Sequence, residues 1–320
     1  MKNRVWKLEI GSCKWFLVLL FIFYFLPFTC LNATSISENA GTTTGEFLRI
    51  GAGARVAGMG EAFASVADDV YSLYWNPGGL SKVTQKQALL AHTFWYESVS
   101  HEYAAYVHPL SADKGTVGIS VTYLGTTFEK RAGDTAEPDS NASVGDMAIG
   151  LSYGRKTYYD INTGITLKYI NSKLDTESST AFGVDLGLQR VCPLWEKMDI
   201  GLAISNIGGS LKYIDDSVAI GKILDFGLSV RDAYFEHLTV ATDLRTLTNF
   251  SSFSVNIGAE YDWSISENFA FLPRAGFKTY GSQIAAGFGV GWKKTYQLDY
   301  AFMSHSDLSS NNRISLSVKF

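Results

Sequence analysis

Apolar and polar residues alternate one by one through most of the chain from Gln87 onwards. Successive side chains of a β-strand point to opposite faces, so this period indicates strands with two unlike faces. A transmembrane strand needs about 9–11 such residues, with one face towards lipid and the other towards the lumen. The alternation is clearest at 182–189, 226–231, 254–263 and 314–320. The sequence therefore predicts an all-β fold, a transmembrane antiparallel β-barrel.

A soluble β-sandwich also alternates, but its outward face is polar and its loops are evenly short. Here charged residues make up 18 % of the chain and aromatic residues 14 %, against about 25 % charged residues in an ordinary soluble domain. Mean hydropathy is nevertheless close to zero, at +0.04. A helical membrane protein concentrates its apolar residues in runs of about 20, whereas a barrel spreads them over alternate positions. Composition thus favours the barrel.

The alternation and its interruptions predict about fourteen strands and an orientation. We expect strands near 87–97, 101–110, 115–125, 144–155, 161–171, 180–190, 197–206, 223–232, 236–246, 252–263, 267–279, 283–292, 296–304 and 312–320. Long polar connections are expected at 126–143, 171–180, 206–222 and 304–312, and tight ones at 112–114, 156–160, 232–235 and 293–295. Bacterial barrels have short periplasmic turns and longer external loops. This asymmetry predicts that both termini are periplasmic.

Aromatic residues cluster near the ends of the expected strands. They are Trp95, Tyr96, Tyr158, Tyr159, Trp195, Tyr234, Trp263, Trp292 and Tyr296. Such residues can form the two interfacial girdles of an outer-membrane barrel. The alternative is the general enrichment of aromatic residues in strands of any kind.

The first 33 residues have the layout of a secretory signal peptide. Twelve apolar residues, Trp15 to Leu26, follow a leader that carries Lys2, Arg4, Lys7 and Lys14. Such a run is short for a bilayer span, and we expect cleavage after Ala33. The alternatives are an uncleaved N-terminal anchor and a lipoprotein acceptor at Cys30, although the flanking Pro27 and Thr29 fit the second poorly.

Charge and cysteine content exclude several classes of protein. Without residues 1–33 the chain keeps 23 Lys and Arg against 30 Asp and Glu, a net charge of −7. This excess of acidic residues argues against a nucleic-acid partner. Only Cys192 lies beyond the leader, so the mature chain alone can form neither a disulfide framework nor a cysteine metal site. We expect no cofactor.

One segment carries a family resemblance. It runs from Gly51-Ala-Gly-Ala-Arg55 through Gly58-Met59-Gly60 and Asp68-Asp69 to Tyr74-Trp75-Asn76-Pro77-Gly78-Gly79-Leu80. This segment closely resembles the N-terminal signature of the PorV/PorQ-type family, which belongs to the FadL-like group of outer-membrane barrels. A similar first hairpin, at 93–106, and a similar ending, at 313–316, follow.

The resemblance implies a fourteen-stranded barrel with an N-terminal plug in its lumen. In FadL-type fatty-acid transporters an Asn-Pro-Ala motif lies in the plug, and Asn76-Pro77-Gly78 takes its place here, with Gly instead of Ala. We therefore expect a plug segment at 34–86 and the barrel at 87–320. The candidate plug motif consists of Asp68, Asp69, Trp75, Asn76, Pro77 and Gly78.

The residues of this segment support a packed plug. Five glycines from Gly45 to Gly60 allow close packing against a wall. Asp68 and Asp69 are expected to cap a short helix from Val70 to Trp75, which Pro77 then ends. The two aspartates and Asn76 then serve either as caps and turn formers or as ligand-binding groups, and the first interpretation is favoured.

The sequence contains no enzyme motif in the structural context that the motif requires. Gly150-Leu-Ser152-Tyr-Gly154 matches a nucleophile-elbow pattern, but the alternation runs straight through it, so Ser152 is expected to be a small lumen-facing residue. None of the five histidines has metal-ligand spacing on a shared helix. The sequence predicts a protein that is not an enzyme.

Charges of both signs are expected inside the barrel. The lumen-lining candidates are Lys168, Asp185, Arg231, Asp243, Arg245, Glu260, Arg274 and Asp299. Buried charges need partners, so an ion-pair network that stiffens the lumen is favoured over a selectivity lining. Phe320, the last residue of the last strand, is the candidate assembly signal.

Three functions remain open at this point. A PorV-like protein would serve type IX secretion or surface-protein assembly in the outer membrane, through secretion-system or exported proteins. A FadL-like protein would conduct fatty acids or other hydrophobic small molecules past its plug. The third possibility is a purely structural barrel, with outer-membrane lipid as its only partner. The short external loops favour the first.

Overall fold

The computed structural model describes residues 43–96, 99–111, 113–134, 136–213, 215–247, 253–306 and 309–320. The expected signal peptide and the beginning of the expected plug segment lie outside these residues. None of the helices in the described part of the chain is long and apolar enough to span a membrane.

The predicted barrel is confirmed: fourteen antiparallel strands form a closed wall. The strands of the chain are β1 Gln87–Phe94, β2 Ser100–Ser111, β3 Gly115–Lys130, β4 Ser140–Lys156, β5 Asn162–Leu174, β6 Glu177–Cys192, β7 Trp195–Ile207, β8 Ser210–Lys212, β9 Ser217–Ala219, β10 Ile223–Val230, β11 Leu238–Leu247, β12 Phe253–Tyr261, β13 Trp263–Ser266, β14 Phe269–Lys278, β15 Gln283–Trp292, β16 Tyr296–Met303 and β17 Asn311–Lys319. β8 and β9 form a separate hairpin, and β13 pairs only with the beginning of β14. β1 pairs with β17, with Gln87 opposite Lys319, and so closes the barrel.

The two ends of the barrel differ. We call "turn end" the end that carries the short connections 112–114, 157–161, 193–194 and 293–295 together with Phe320, and "loop end" the opposite one. The expected long connections at the loop end are partly wrong. β5 and β6 continue to Leu174 and Glu177 and leave only two residues between them, and β3 and β4 pair as far as Lys130 and Ser140. These extensions are mostly polar on both faces, so the hydrophobic alternation stops where the hydrogen-bonded ladder continues.

The alternation places the apolar residues as expected. Phe182, Leu186 and Leu188 are exposed on the outer face of β6, while Asp185 and Gln189 between them are buried. The same pattern places Ile314 and Leu316 outside and Arg313 and Ser315 inside on β17. The outer face is the lipid-facing band of the wall.

Residues 43–86 run inside the barrel and form the plug. It contains α1 Ala54–Gly58 and α2 Ser72–Trp75, with 3₁₀ turns at Glu46–Arg49 and Pro77–Lys82. The expected helix from Val70 to Trp75 is thus shorter, and it begins after Tyr71 without a side-chain cap. The Asp69 carboxylate instead accepts the Tyr71 N–H at 2.9 Å, and Asp68 pairs with Arg55. The two aspartates hold the approach to the helix rather than its first turn.

Inward glycines of the wall let the plug approach closely. They occur in cross-strand pairs, Gly154 with Gly164, Gly164 with Gly187, Gly201 with Gly227, and Gly258 with Gly276. A Cβ atom on any of them would lie within 3 Å of plug atoms, in most cases of plug backbone. Real Cβ contacts are never this short, so the wall is shaped to the plug backbone.

Candidate functional site

The Asn76-Pro77-Gly78 turn lies against the inner wall. Asn76 Nδ2 donates to the carbonyl oxygens of Ala64 at 2.6 Å and Leu188 at 3.1 Å, and Asn76 Oδ1 accepts the Gly78 N–H at 3.0 Å. The preceding Trp75 donates its Nε1–H to the Ala52 carbonyl at 3.1 Å. One amide side chain therefore ties two parts of the plug to β6.

The wall also explains why glycine follows Pro77. A Cβ at Gly78 would lie 3.0 Å from the Gly187 carbonyl carbon and 3.1 Å from the Asn162 carbonyl oxygen. Such contacts are tighter than nine in ten real Cβ contacts. An alanine at this position would crowd the wall, so glycine lets the plug backbone lie this close to β5 and β6.

Glu61 is the centre of a buried ion-pair cluster. Lys278 Nζ lies 2.6 Å from Glu61 Oε2, and Arg313 Nη2 lies 3.2 Å from Glu61 Oε1. Arg313 also donates to the Gly51 carbonyl at 2.6 Å. Burial by itself raises the pKa of Glu61, but Lys278 and Arg313 outweigh it and lower the pKa to about 2. Ion pairs thus connect two wall strands, β14 and β17, to one plug residue.

A second cluster forms around Arg55 of the plug. Its guanidinium contacts Glu260 of β12 at 2.8 Å, and it pairs with Asp68 and Asp69. Glu260 is shared with Arg274 of β14, at 2.6 Å. Arg274 reaches on to Asp299 of β16 at 2.7 Å. Three wall strands and two plug segments meet in this cluster.

The remaining lumen candidates lie along the same inner wall. Asp243 accepts the backbone N–H groups of Phe63 and Ala64 at 2.7 and 2.8 Å. The other contacts are Lys168 to Asp185 at 2.7 Å, Arg245 to Asp225 at 3.4 Å, and Arg231 to Asp199 at 3.0 Å. Arg231 is the exception in burial, because its side chain is exposed near the turn end. The Arg245 guanidinium also lies 5.0 Å from the centroid of the Trp75 ring, and Asp199 lies 3.8 Å from Lys82 of the plug. The structure therefore places all eight candidates on the inner wall and joins six of them to the plug or to a cluster that contains a plug residue, namely Arg231, Asp243, Arg245, Glu260, Arg274 and Asp299.

Sequence reasoning missed Glu61, Arg55, Lys278 and Arg313. Lys278 and Arg313 occupy inward positions of the alternation on β14 and β17. The alternation of these strands therefore predicts that both side chains face the lumen. Glu61 and Arg55 lie in a segment without period, so no sequence signal marks their partners.

The lumen between the plug and the turn end is a vestibule with charged, polar and apolar lining residues. Its volume is about 1500 Å³, and Arg55, Asp69 and Lys82 of the plug form its floor. Asp199, Arg231 and Lys319 are among the wall residues around it. A second cavity, between Tyr74, Trp75 and wall residues Lys168, Asp225 and Arg245, has a volume of only about 10 Å³. This is room for about one water molecule.

An apolar cap covers the plug at the loop end. Leu211 and Ile220 of the β8–β9 hairpin region pack on Phe47 and Leu48 of the plug, together with Ile170 of β5. The Thr44 N–H donates to the Ala219 carbonyl at 3.1 Å, so the hairpin and the plug also share a backbone hydrogen bond. The plug is therefore held both by the wall and by the β8–β9 hairpin at the loop end.

Ser152 and two of the histidines have structural contacts. Ser152 points into the lumen and shares a 2.7 Å hydrogen bond with Thr166. It lies within strand β4, whereas the serine of a nucleophile elbow lies at a strand-to-helix turn. His92 pairs with Glu102, and His108 contacts the Tyr106 hydroxyl. In the described ranges, no three His, Cys, Asp or Glu side chains are placed to hold a metal ion.

Phe320 lies on the outer side of the turn end, next to the closure of the barrel. Its N–H donates to the Lys86 carbonyl at 2.9 Å, and its ring stacks on Tyr106, with centroids 6.2 Å apart. The residue thus extends the β17–β1 ladder by one hydrogen bond.

We expect Asn76→Ala to destabilise the protein by about 1–3 kcal/mol, because buried carbonyl and N–H groups of plug and wall lose their partner. The measurement is the temperature at which the protein in an unboiled gel loses its fast-migrating folded form. Asn268→Ala, at an exposed turn-end position, is the matched control. Equal transition temperatures for the two variants would contradict the anchoring role of Asn76.

Comparisons with known proteins agree with this architecture. The family model of the type IX secretion system protein PorV matches residues 33–228. Among solved structures, the toluene transporter TbuX of Ralstonia pickettii is similar with a TM-score of 0.59 at 13 % identity, over 84 % of this chain and 98 % of that chain. A Pseudomonas aeruginosa FadL homologue is similar with a TM-score of 0.59 at 9 % identity, over 83 % and 97 % of the two chains.

The Pseudomonas putida toluene transporter TodX is similar with a TM-score of 0.57 at 14 % identity, over 84 % of this chain and 97 % of that chain. No curated protein matches the chain. At these identities the solved structures show a shared fold, the FadL-like outer-membrane barrel.

Proposed function

Since the chain belongs to the family of the type IX secretion system protein PorV, we propose that it serves protein secretion or surface-protein assembly in the bacterial outer membrane. It acts by binding protein partners, either secretion-system components or exported proteins, and not by catalysis. The observation that carries this proposal, beyond family membership, is the tightly held plug.

A conduit for hydrophobic molecules would need an apolar path past the plug. In the described residues the plug is fixed by the Glu61 and Arg55 clusters, by Asn76, and by the inward glycines. Charges of both signs are among the residues that line the vestibule, and the cavity beside Tyr74 and Trp75 has room for about one water molecule. These features favour surfaces, rather than the lumen, as the working part of the molecule.

The loop end offers a surface for a protein partner. β3 runs five residues beyond its last pair with β2, Gly125 with Ser100, and no described strand pairs with that edge from Thr126 to Lys130. An unpaired strand edge can accept a strand of another protein. Phe128 lies in this segment with an exposed ring. We propose this edge as the place where an exported protein docks.

The orientation follows from the same asymmetry. We propose that the turn end, with Phe320, faces the periplasm and that the loop end faces outwards, because bacterial barrels keep their short turns in the periplasm. The vestibule then opens to the periplasm. We propose further that residues 1–33 are removed as a signal peptide, that plug and barrel divide near residue 86, and that Phe320 contributes to assembly.

The second candidate is a FadL-like conduit for hydrophobic small molecules. It is favoured by the fold shared with TbuX and TodX, which are toluene transporters by name. It requires that the plug leave the wall to open a path.

Deletion of the gene in its native bacterium separates the two candidates. We expect proteins that depend on type IX secretion to be lost from the cell surface and retained in the periplasm, with unchanged uptake of labelled toluene and fatty acid. Mass spectrometry of the surface fraction and an uptake assay on the same cells provide the readout. Unchanged secretion with lost uptake would establish the conduit instead.

The docking edge has its own test. Phe128→Asp is expected to lower delivery of exported proteins about fivefold or more, the effect of losing about 1 kcal/mol of binding. Leu194→Asp, at a fully exposed position of the turn end, is the matched control and should leave delivery unchanged. Both variants are complemented into the deletion strain, at barrel levels checked in unboiled gels. Equal delivery by both variants would remove the loop-end edge from the proposal.

A further inference from the structure

Two arginines lie on the outer face of the wall at the turn end. Arg155 is the second-last residue of β4, and Arg190 lies two residues before the end of β6. Each continues the outward row of its strand, after the exposed Leu151 on β4 and the exposed Leu188 on β6. Arg155 is itself exposed and Arg190 half-exposed. By contrast, four other cations near this end line the vestibule, namely Lys156, Lys197, Arg231 and Lys319.

The two arginines flank β5 and are close to each other. Arg155 is paired with Thr163 of β5, and Thr163 with Leu188 of β6, two residues before Arg190. Adjacent strands are about 4.8 Å apart, so β4 and β6 are separated by about 10 Å. Two long arginine side chains can converge across this distance on one group of the size of a phosphate.

Both guanidinium groups are without a salt-bridge partner within the described residues. The carboxylates of the neighbouring turns have other contacts, since Asp160 pairs with Lys156 at 2.8 Å and Asp113 accepts the Ser111 hydroxyl at 2.7 Å. Arginine stays protonated in proteins, so the outer face holds two positive charges at this place. These charges are complementary to an anion that reaches them from outside the barrel.

The turn that follows Arg155 places the two charges at the level of the lipid headgroups. Tyr158 and Tyr159, which come next along the chain after β4, are 90 % and 82 % exposed. Neither ring lines the vestibule. Tyrosine rings are favoured at the membrane interface, where an apolar ring and a polar hydroxyl both find a suitable environment. The interface therefore extends at least as far as this turn, and Arg155 lies on its inner, apolar side.

We propose that Arg155 and Arg190 bind the headgroup of an anionic phospholipid in the leaflet that surrounds the turn end. The planar guanidinium groups donate forked hydrogen bonds to phosphate oxygens, and the acyl chains lie along the apolar outer residues of β4 to β6. Lipid is the ordinary neighbour of this wall, so no further partner is required. A zwitterionic headgroup offers the same phosphate but adds a cation of its own, which two arginines disfavour.

The lipid that stays on the purified protein tests the site. The full-length protein is released from micelles with equal amounts of phosphatidylglycerol and phosphatidylcholine, and the bound lipid is identified by native mass spectrometry. We expect the wild type to retain phosphatidylglycerol in preference. Arg155→Gln and Arg190→Gln should each lower this retention about fivefold, the effect of one basic residue at an anionic membrane surface.

Lys173→Gln is the matched control, because Lys173 is an exposed cation on the same outer wall but near the loop end. It should retain phosphatidylglycerol as the wild type does. Equal retention of the two lipids by the wild type, or unchanged retention by both arginine variants, would overturn the proposal. The same loss in Lys173→Gln would also overturn it, by showing a general effect of charge.

A second measurement follows the same lipid in a bilayer. We expect the wild type and Lys173→Gln to lose their folded form in unboiled gels at a higher temperature from phosphatidylglycerol nanodiscs than from phosphatidylcholine nanodiscs. The double variant Arg155→Gln, Arg190→Gln should fold and show the same temperature in both. A double variant that gains as much from phosphatidylglycerol as the wild type would place the preference for anionic lipid elsewhere on the barrel.

Discussion

Replacing Glu61 by alanine is expected to destabilise the folded protein by about 3–5 kcal/mol and to detach the plug from β14 and β17. The carboxylate lies 2.6 Å from Lys278 Nζ and 3.2 Å from Arg313 Nη2. The side chains of Glu61 and Arg313 are buried, and that of Lys278 is only slightly exposed. Without it, two positive charges stay inside the barrel without compensation, which is the costly way to break a buried ion pair.

The effect is measured as the temperature at which the folded form disappears from unboiled gels, and as protease cleavage within residues 43–86. Glu46→Ala is the control, because Glu46 pairs with Arg49 at the surface of the same segment, where an ion pair contributes about 0–1 kcal/mol. We expect early unfolding and rapid cleavage only for Glu61→Ala. If both variants unfold alike, the cluster does not hold the plug.

Introducing a side chain at Gly164 is expected to have a comparable effect by steric means. A Cβ at this position would lie within 3 Å of the Pro77 carbonyl and the Gly78 nitrogen. Gly164→Val should therefore push the Asn76-Pro77-Gly78 turn off the wall and destabilise the protein by about 1–3 kcal/mol or more, the usual cost of overpacking. The readouts are again the unfolding temperature and cleavage of the plug.

Gly183→Ala provides the matched control for Gly164→Ala and Gly164→Val. Gly183 is also an inward glycine, on β6, but its nearest neighbour beyond a built Cβ is Ile170 Cδ1 at 3.5 Å, an ordinary van der Waals distance. We expect Gly183→Ala to behave as wild type, and the two Gly164 variants to lose stability in the order of their size. A neutral Gly164→Val would mean that the plug is not pressed against the wall.

The strand alternation predicted much of this architecture. A residue with an even or odd number on a given strand has a fixed face, so the inward positions of Asp185, Asp243 and Asp299 follow from the apolar residues beside them. Strand ends were less predictable. From 171 to 180 all residues except Leu174 are polar, so the sequence does not distinguish a loop from the continued β5–β6 ladder.

The plug shows why the rest could not be predicted. Glu61 meets Lys278 and Arg313 across more than two hundred residues of chain, and a segment without period gives no hint of such pairings. The inward glycines are visible in the sequence, but only the register shows that Gly154, Gly164 and Gly187 are neighbours on adjacent strands. Their common role depends on the plug that lies on them.

Locking the plug to the wall tests the central claim, that the protein works through its surfaces while the plug stays docked. The Ala54 N–H donates to Ser315 Oγ at 2.7 Å, so cysteines at these two positions in a Cys192→Ser background can join plug and β17. In the deletion strain we predict that the oxidised double-cysteine protein restores delivery of exported proteins as fully as the reduced one. Loss of delivery on oxidation, with recovery on reduction, would contradict the account and show that the plug must move.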